Sequence, residues 1–159
     1  MKNENLNDII LCANSIEYFS NQLSLYGDKI EKLTDFQKEL FEDLNNETKI
    51  VKNVKRQVGK TTAASIYMLY NSLFSEFKTS CIFAYSTATS KEILNTICNL
   101  YNSLPEHLKF TKISKKNSNS IEFDNGSCIF IGSNNNYRGR TLNLVYFDEY
   151  SHIKNGMEY

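Results

Sequence analysis

The feature that most constrains this chain is a short polar loop between an apolar run and a helix-forming run. Residues 48–54 predict a strand, and residues 63–70 predict a helix. Gly59, Lys60 and Thr61 lie between them. A strand, a tight loop and a helix N-terminus in this order form an anion site, because free backbone N–H groups and the helix dipole point at one place. The stretch therefore predicts a phosphate-binding loop, in which Lys60 contacts the β- and γ-phosphates and the Thr61 hydroxyl binds Mg²⁺.

A second stretch places two carboxylates at the end of a strand. Residues 144–147 form an apolar run of the buried-strand type, followed at once by Asp148 and Glu149. Open α/β sheets bind ligands at the carboxyl ends of their strands, so Asp148 suits the Mg²⁺ shell and Glu149 could orient and polarise an attacking water. Taken singly, the two stretches could be an ordinary helix start and a solvated acidic turn. Together they predict the nucleotide site of a P-loop protein, although Val54 stands where the usual pattern has a glycine.

The overall composition narrows the class of protein. The chain has 18 basic and 18 acidic residues and a net charge of zero, which argues against a domain whose whole surface binds nucleic acid but leaves room for a local patch. Hydrophobic residues make up 41% of the 159 residues, so one globular domain is expected. The four cysteines are scattered without a C-x-x-C pair, which predicts reduced thiols in a cytosolic protein. The polar N-terminus is followed by no long apolar run, so we expect neither a signal peptide nor a membrane span.

Arginine is used sparingly. The chain has 15 lysines but only Arg56, Arg138 and Arg140, one inside the phosphate loop and two just before the acidic strand. The planar guanidinium binds phosphate oxygens in a way that lysine cannot, so these positions favour phosphate contacts. Ordinary surface arginines remain the alternative interpretation.

The remaining pattern alternates helices and strands. It predicts helices over 16–23, 36–44, 60 to about 77 and 89–103, strands over 80–85 and 144–147, a polar loop over 112–120, and a hairpin whose strands are 121–123 and 127–131. This order predicts an α/β fold with a mainly parallel central sheet flanked by helices. We expect a single domain over 1–159, with a helical part at about 1–46 and a nucleotide-binding core at about 47–159. Gln37 lies on the first turn of its helix, where its carboxamide could pair with both edges of an adenine or could be an ordinary exposed glutamine.

Several of these stretches resemble the ATPase domain of the large terminase subunit, the DNA-packaging motor of tailed bacteriophages. The resemblance covers nearly the whole chain, and the Walker A of that family also lacks the first glycine. The stretches that carry it are residues 12–19, which resemble the N-terminal helix; Asp35-Phe36-Gln37, the adenine-reading Q motif; Arg56-Gln57-Val58-Gly59-Lys60-Thr61-Thr62, the divergent Walker A; residues 120–127, the hairpin before Walker B; and Arg138-Gly139 with residues 144–149, the Arg-Gly and Walker B signatures.

The resemblance implies a role for each matching residue. It implies that Gln37 reads adenine, that residues 56–62 bind ATP, that Thr61 and Asp148 bind Mg²⁺, and that Glu149 activates water. Arg56 would sense the γ-phosphate, and Arg138 would act as an arginine finger on a neighbouring subunit, whereas Arg140 has no implied role. The implied partners are double-stranded DNA, the portal protein, the small terminase subunit and further copies in a ring, in the cytoplasm of a bacterial host and without a membrane.

The chain departs from full-length terminases because it ends at Tyr159, before the coupling strand of motif III, the lid and the nuclease domain. We therefore expect an ATPase fragment without nuclease activity, whose last strand could leave an open sheet edge. Two alternatives remain open at this point. One is a superfamily 2 helicase-like ATPase, since Asp148-Glu149 and His152 echo that layout, and the other is a non-catalytic nucleotide-binding remnant.

Overall fold

The structure, a computed structural model, describes residues 2–55, 57–132 and 141–148. Its elements in chain order are α1 (Lys2–Asn14), α2 (Ile16–Ser20), β1 (Ser24–Leu25), β2 (Asp28–Lys29), α3 (Asp35–Asn46), α4 (Lys60–Phe74), β3 (Thr79–Phe83), α5 (Thr87–Ser103), a 3₁₀ turn (Glu106–Leu108), β4 (Ile113–Lys116), β5 (Ser120–Phe123), β6 (Cys128–Ile131) and β7 (Leu144–Phe147). The predicted α/β fold and the hairpin near 121–131 are confirmed. Helix α1 was not predicted, because Leu6, Ile10 and Leu11 are exposed and only Cys12 of its apolar residues is fully buried.

Among the described residues, the central sheet has five strands in the order β4-β5-β6-β3-β7. Strand β3 pairs in parallel with β6 on one side and with β7 on the other. The β4–β5 and β5–β6 pairs are antiparallel. The sheet is therefore mixed, and the prediction of a mainly parallel sheet is wrong. The reason is that tight turns join β4 to β5 and β5 to β6, and strands joined by such turns can pair only in the antiparallel sense.

Strand β4 occupies part of the stretch that was predicted to be a solvated loop over 112–120. It forms one edge of the sheet and is mostly exposed, so it has lysines where a buried strand would have apolar residues. Lys115 lies 3.7 Å from the Glu122 carboxylate on β5. A polar, charged composition is common in edge strands. Here it removes the alternation of apolar residues by which a strand is recognised in a sequence.

The strand predicted over 48–54 is absent, because this segment lies against α3 instead of joining the sheet. Val51 is 95% exposed, whereas the Lys52 side chain is only 19% exposed. The Lys52 ammonium lies 2.5 Å from the Asp43 carboxylate and 2.7 Å from that of Glu39, and these contacts, Asp43 first, raise the pKa of Lys52. The polar side chain thus faces the protein and the apolar one faces water, the reverse of what a buried strand requires.

Three of the described helices begin at a residue whose side chain caps the first turn. Ser15 caps α2, which is shorter than the predicted 16–23, and Ser86 caps α5. Thr34 caps α3 in a capping box with Gln37. Each cap satisfies backbone N–H groups that have no partner within the helix.

The core lies where α4 and α5 pack against each other and against the sheet. Ile66, Met68, Leu69 and Ile97 are fully buried there, and the same cluster extends from Phe19 on α2 to the hairpin strands. All four cysteines are free thiols. In the part of the chain that the structure describes, the helices are too short or too polar to cross a bilayer.

The hairpin turn 124–126 is joined to the end of α4. The Asn125 amide donates to the Ser72 carbonyl at 2.8 Å and to the Ser75 carbonyl at 3.1 Å, and its oxygen accepts the Ser127 N–H at 3.0 Å. The last carbonyls of a helix have no partner within it, so Asn125 acts as a cap supplied from another element.

Candidate phosphate-binding site

The predicted phosphate loop leads into α4 through residues in the left-handed backbone region. Gln57 has a φ of 65°, and Gly59, the N-cap of α4, has a φ of 83°. The Gly59 carbonyl accepts the Ala63 N–H at 2.9 Å, so the helical hydrogen bonds start at this residue. The N–H groups of the first turn, which holds Lys60, Thr61 and Thr62, have no partner within the helix. This arrangement, with the positive end of the helix dipole, suits an anion.

Gln37 lies against this loop and is not the exposed glutamine of the alternative interpretation. The residue as a whole is only 8% exposed. The carboxamide nitrogen donates to the Gly59 carbonyl at 3.4 Å, and the carboxamide oxygen accepts the Thr34 N–H at 3.0 Å. A Cβ at position 59 would lie 2.7 Å from the Gln37 nitrogen, so the approach depends on glycine. The structure thus joins the start of α3 to the start of α4.

Asp148 lies at the carboxyl end of β7, where the sequence places it. Its backbone N–H donates to the Phe83 carbonyl at 2.8 Å, which extends the parallel pairing of β3 and β7 by one bond. The Phe83 and Phe147 rings stack with their centroids 5.1 Å apart and fix the ends of the two strands side by side. Within the described ranges, no hydrogen bond or ion pair joins Asp148 to Lys60 or Thr61.

Tyr146 is a residue near the site that the motifs did not single out. Its hydroxyl donates to the Asp148 carboxylate at 3.0 Å. Residues two apart on a strand point to the same face, so a tyrosine two positions before a candidate metal ligand is a signal that the sequence does carry. A hydrogen bond to a carboxylate oxygen fixes its orientation and leaves the other lone pairs for a cation.

The remaining candidate residues fall into two groups. Val58 and the residues 60–62 lie in the described part and are half-buried, while Gln57 is exposed. Arg56, Arg138 and Glu149 lie outside the described residues, as does Arg140, and their roles stay predictions.

The comparison with known protein families bears on the loop before α4 and on the carboxylates after β7. A model of the N-terminal part of the terminase large subunit, T4likevirus type, matches residues 55–158. The match covers well over half of the chain and includes both Gly59-Lys60-Thr61 and Asp148-Glu149. It confirms the resemblance and favours a terminase over the helicase-like alternative. The chain belongs to the T4-like terminase large subunit family and corresponds to the N-terminal domain of that subunit.

Proposed function

We propose that this chain is a P-loop ATPase domain that binds Mg²⁺-ATP and hydrolyses it to drive double-stranded DNA into a procapsid. Family membership supports a role in DNA packaging. The observation that carries the ATP-binding part is the left-handed Gly59 at the start of α4, with Lys60 and Thr61 in the first turn. Glycine there lets the backbone turn sharply enough for several N–H groups to converge on one anion.

The residues present fit a magnesium nucleotide. The Thr61 hydroxyl and the Asp148 carboxylate are oxygen ligands of the kind that Mg²⁺ prefers, and Lys60 adds a positive charge for the phosphates. Bound Mg²⁺ would neutralise charge on the β- and γ-phosphates. Tyr146 would hold the Asp148 carboxylate in one orientation. Glu149 would accept a proton from the attacking water, Arg56 would contact the γ-phosphate, and Arg138 would act in a neighbouring subunit, as the sequence resemblance implies.

The wider assembly is also part of the proposal. A terminase large subunit acts on DNA with a portal protein and a small subunit, and we infer the same partners here, in a ring of copies within the host cytoplasm. Adenine recognition by Gln37 stays a prediction, because its carboxamide bonds to Thr34 and Gly59 in this structure.

Binding of a fluorescent ATP analogue tests the proposal. Lys60→Ala should abolish binding and keep the circular dichroism spectrum, because only a charge at the helix start is removed. Lys116→Ala is the matched control, since it removes an equal charge from the exposed edge strand β4, at the opposite end of the sheet from β7. Equal binding by wild type and Lys60→Ala would contradict a phosphate site at this loop.

A nucleotide-binding domain without catalysis is the second candidate. One observation favours this second candidate. Residues 48–54, just before the loop, do not form the strand that would connect the loop to the sheet. An ATPase assay separates the two candidates. Turnover that Glu149→Gln abolishes would establish the enzyme, whereas tight binding without turnover in assembled rings would establish the second candidate.

A further inference from the structure

We propose that Gln37 is a positioning residue for the phosphate loop, and that it supports phosphate binding whatever base the nucleotide carries. The inference rests on the proposed function, in which the loop binds phosphates. It differs from adenine reading by Gln37, because a reader of the base would affect one nucleotide and a support of the loop would affect all of them.

The capping box fixes the direction of the Gln37 carboxamide. Its oxygen accepts the Thr34 N–H at 3.0 Å, while the Thr34 hydroxyl accepts the Gln37 N–H at 3.3 Å. Because the oxygen is held, the nitrogen on the other branch of the same planar group has one direction, which is toward the Gly59 carbonyl at 3.4 Å. The residue is 8% exposed, so water competes little for this contact.

The Gly59 carbonyl is the point at which such a contact has most effect. The Gly59 carbonyl and the Lys60 N–H belong to one rigid peptide plane and point in opposite directions. The carbonyl already accepts the Ala63 N–H at 2.9 Å, so the Gln37 amide is a second donor on it. Two donors that hold the carbonyl in place also hold the Lys60 N–H, one of the N–H groups without a helical partner, in its outward direction.

The local shape supports the same conclusion. Gly59 adopts a φ of 83°, a conformation that a residue with a side chain rarely adopts. A Cβ at this position would also meet the Gln37 nitrogen at 2.7 Å. The loop and Gln37 therefore fit each other closely, and a displaced Gln37 would leave the Gly59 carbonyl held by the Ala63 N–H alone.

The test compares the affinities of Mg²⁺-ATP, Mg²⁺-GTP and Mg²⁺-tripolyphosphate by calorimetry in the full chain. Gln37→Met keeps the length of the side chain and removes both hydrogen bonds. It should lower the affinity for all three ligands by a similar factor, about five- to ten-fold, as expected for the loss of one hydrogen bond. Gln37→Ala is the second variant, because it cannot clash and should give the same loss for all three.

Thr34→Ala is the matched control. It removes the hydroxyl that caps α3 but keeps the backbone N–H that holds the Gln37 oxygen, so the Gln37 amide stays on Gly59. The variant should lower stability without a change in ligand affinity. A loss confined to ATP in the Gln37 variants, unchanged affinity for all three ligands, or an equal loss in Thr34→Ala would each overturn the inference. A wild-type protein that binds none of the three ligands would instead overturn the proposed function, and the inference would fall with it.

Discussion

Replacing Asn125 by alanine should destabilise the fold through the end of α4. Three hydrogen bonds are lost, one to the Ser72 carbonyl of α4, one to the carbonyl of its C-cap Ser75, and one from the Ser127 N–H. Each is worth a net 0.5–1.5 kcal/mol, roughly. The Ser75 carbonyl still accepts the Ser127 hydroxyl at 2.9 Å. Residue 125 is half-buried, so water can replace part of the lost hydrogen bonding. We therefore expect a loss of about 2 kcal/mol, or roughly 4–8 °C in Tm for a domain of this size.

Urea unfolding followed by circular dichroism measures this loss directly. Asn102→Ala is the matched control, because Asn102 is exposed on α5 and its side chain has no hydrogen bond among the described residues. The control should stay within about 0.5 kcal/mol of wild type. If Asn125→Ala unfolds at the same urea concentration as the control, with an unchanged m-value, the cap does not stabilise α4 and the reasoning is wrong.

Three other predictions concern single side chains. Asp148→Asn should weaken the Mg²⁺-dependent part of nucleotide binding, whereas Glu149→Gln should keep binding and stop hydrolysis; titrations with Mg²⁺ and with EDTA, beside a phosphate-release assay, distinguish the two. Tyr146→Phe should raise the Mg²⁺ concentration for half-maximal binding roughly three- to ten-fold, because the Asp148 carboxylate loses the donor at 3.0 Å, and an unchanged Mg²⁺ titration would contradict this. Burial raises the pKa of the Cys12 thiol to about 11, so at pH 8 it should resist iodoacetamide in the folded protein and react after denaturation, as mass spectrometry of the peptide would show.

Signals within a few residues of one another predicted the parts of the fold that were correct. Thr34 before α3 acts through a bond to the next turn, so its effect is visible in the sequence. Ser86 acts in the same way before α5, which begins two residues before the predicted start at residue 89. The turn at 124–126 and the position of Asp148 after an apolar run are equally local. The capping-box role of Gln37 was also readable, since Thr34 stands three residues before it.

Contacts between distant parts of the chain decided the features that the sequence did not predict. Residues 48–54 have the composition of a strand, but Lys52 forms salt bridges with Glu39 and Asp43 on α3. No local sequence pattern predicts these salt bridges. The contact of Gln37 with Gly59 spans 22 positions and requires the folded arrangement of α3 and α4. Strand β4 was missed because its lysines suit an edge position that only the finished sheet defines.

Helix α4 is fastened at both ends by carboxamides from other elements, Gln37 at its start and Asn125 at its end. With 15 residues, and a rise of 1.5 Å per residue, it is a rod about 22 Å long. A helix held in this way cannot turn about its axis or slide along it unless the hydrogen bonds of Gln37 or of Asn125 break. Moving the Gly59–Lys60 peptide along the axis of α4 would therefore strain the hydrogen bonds between Asn125 and the Ser72 and Ser75 carbonyls at the far end.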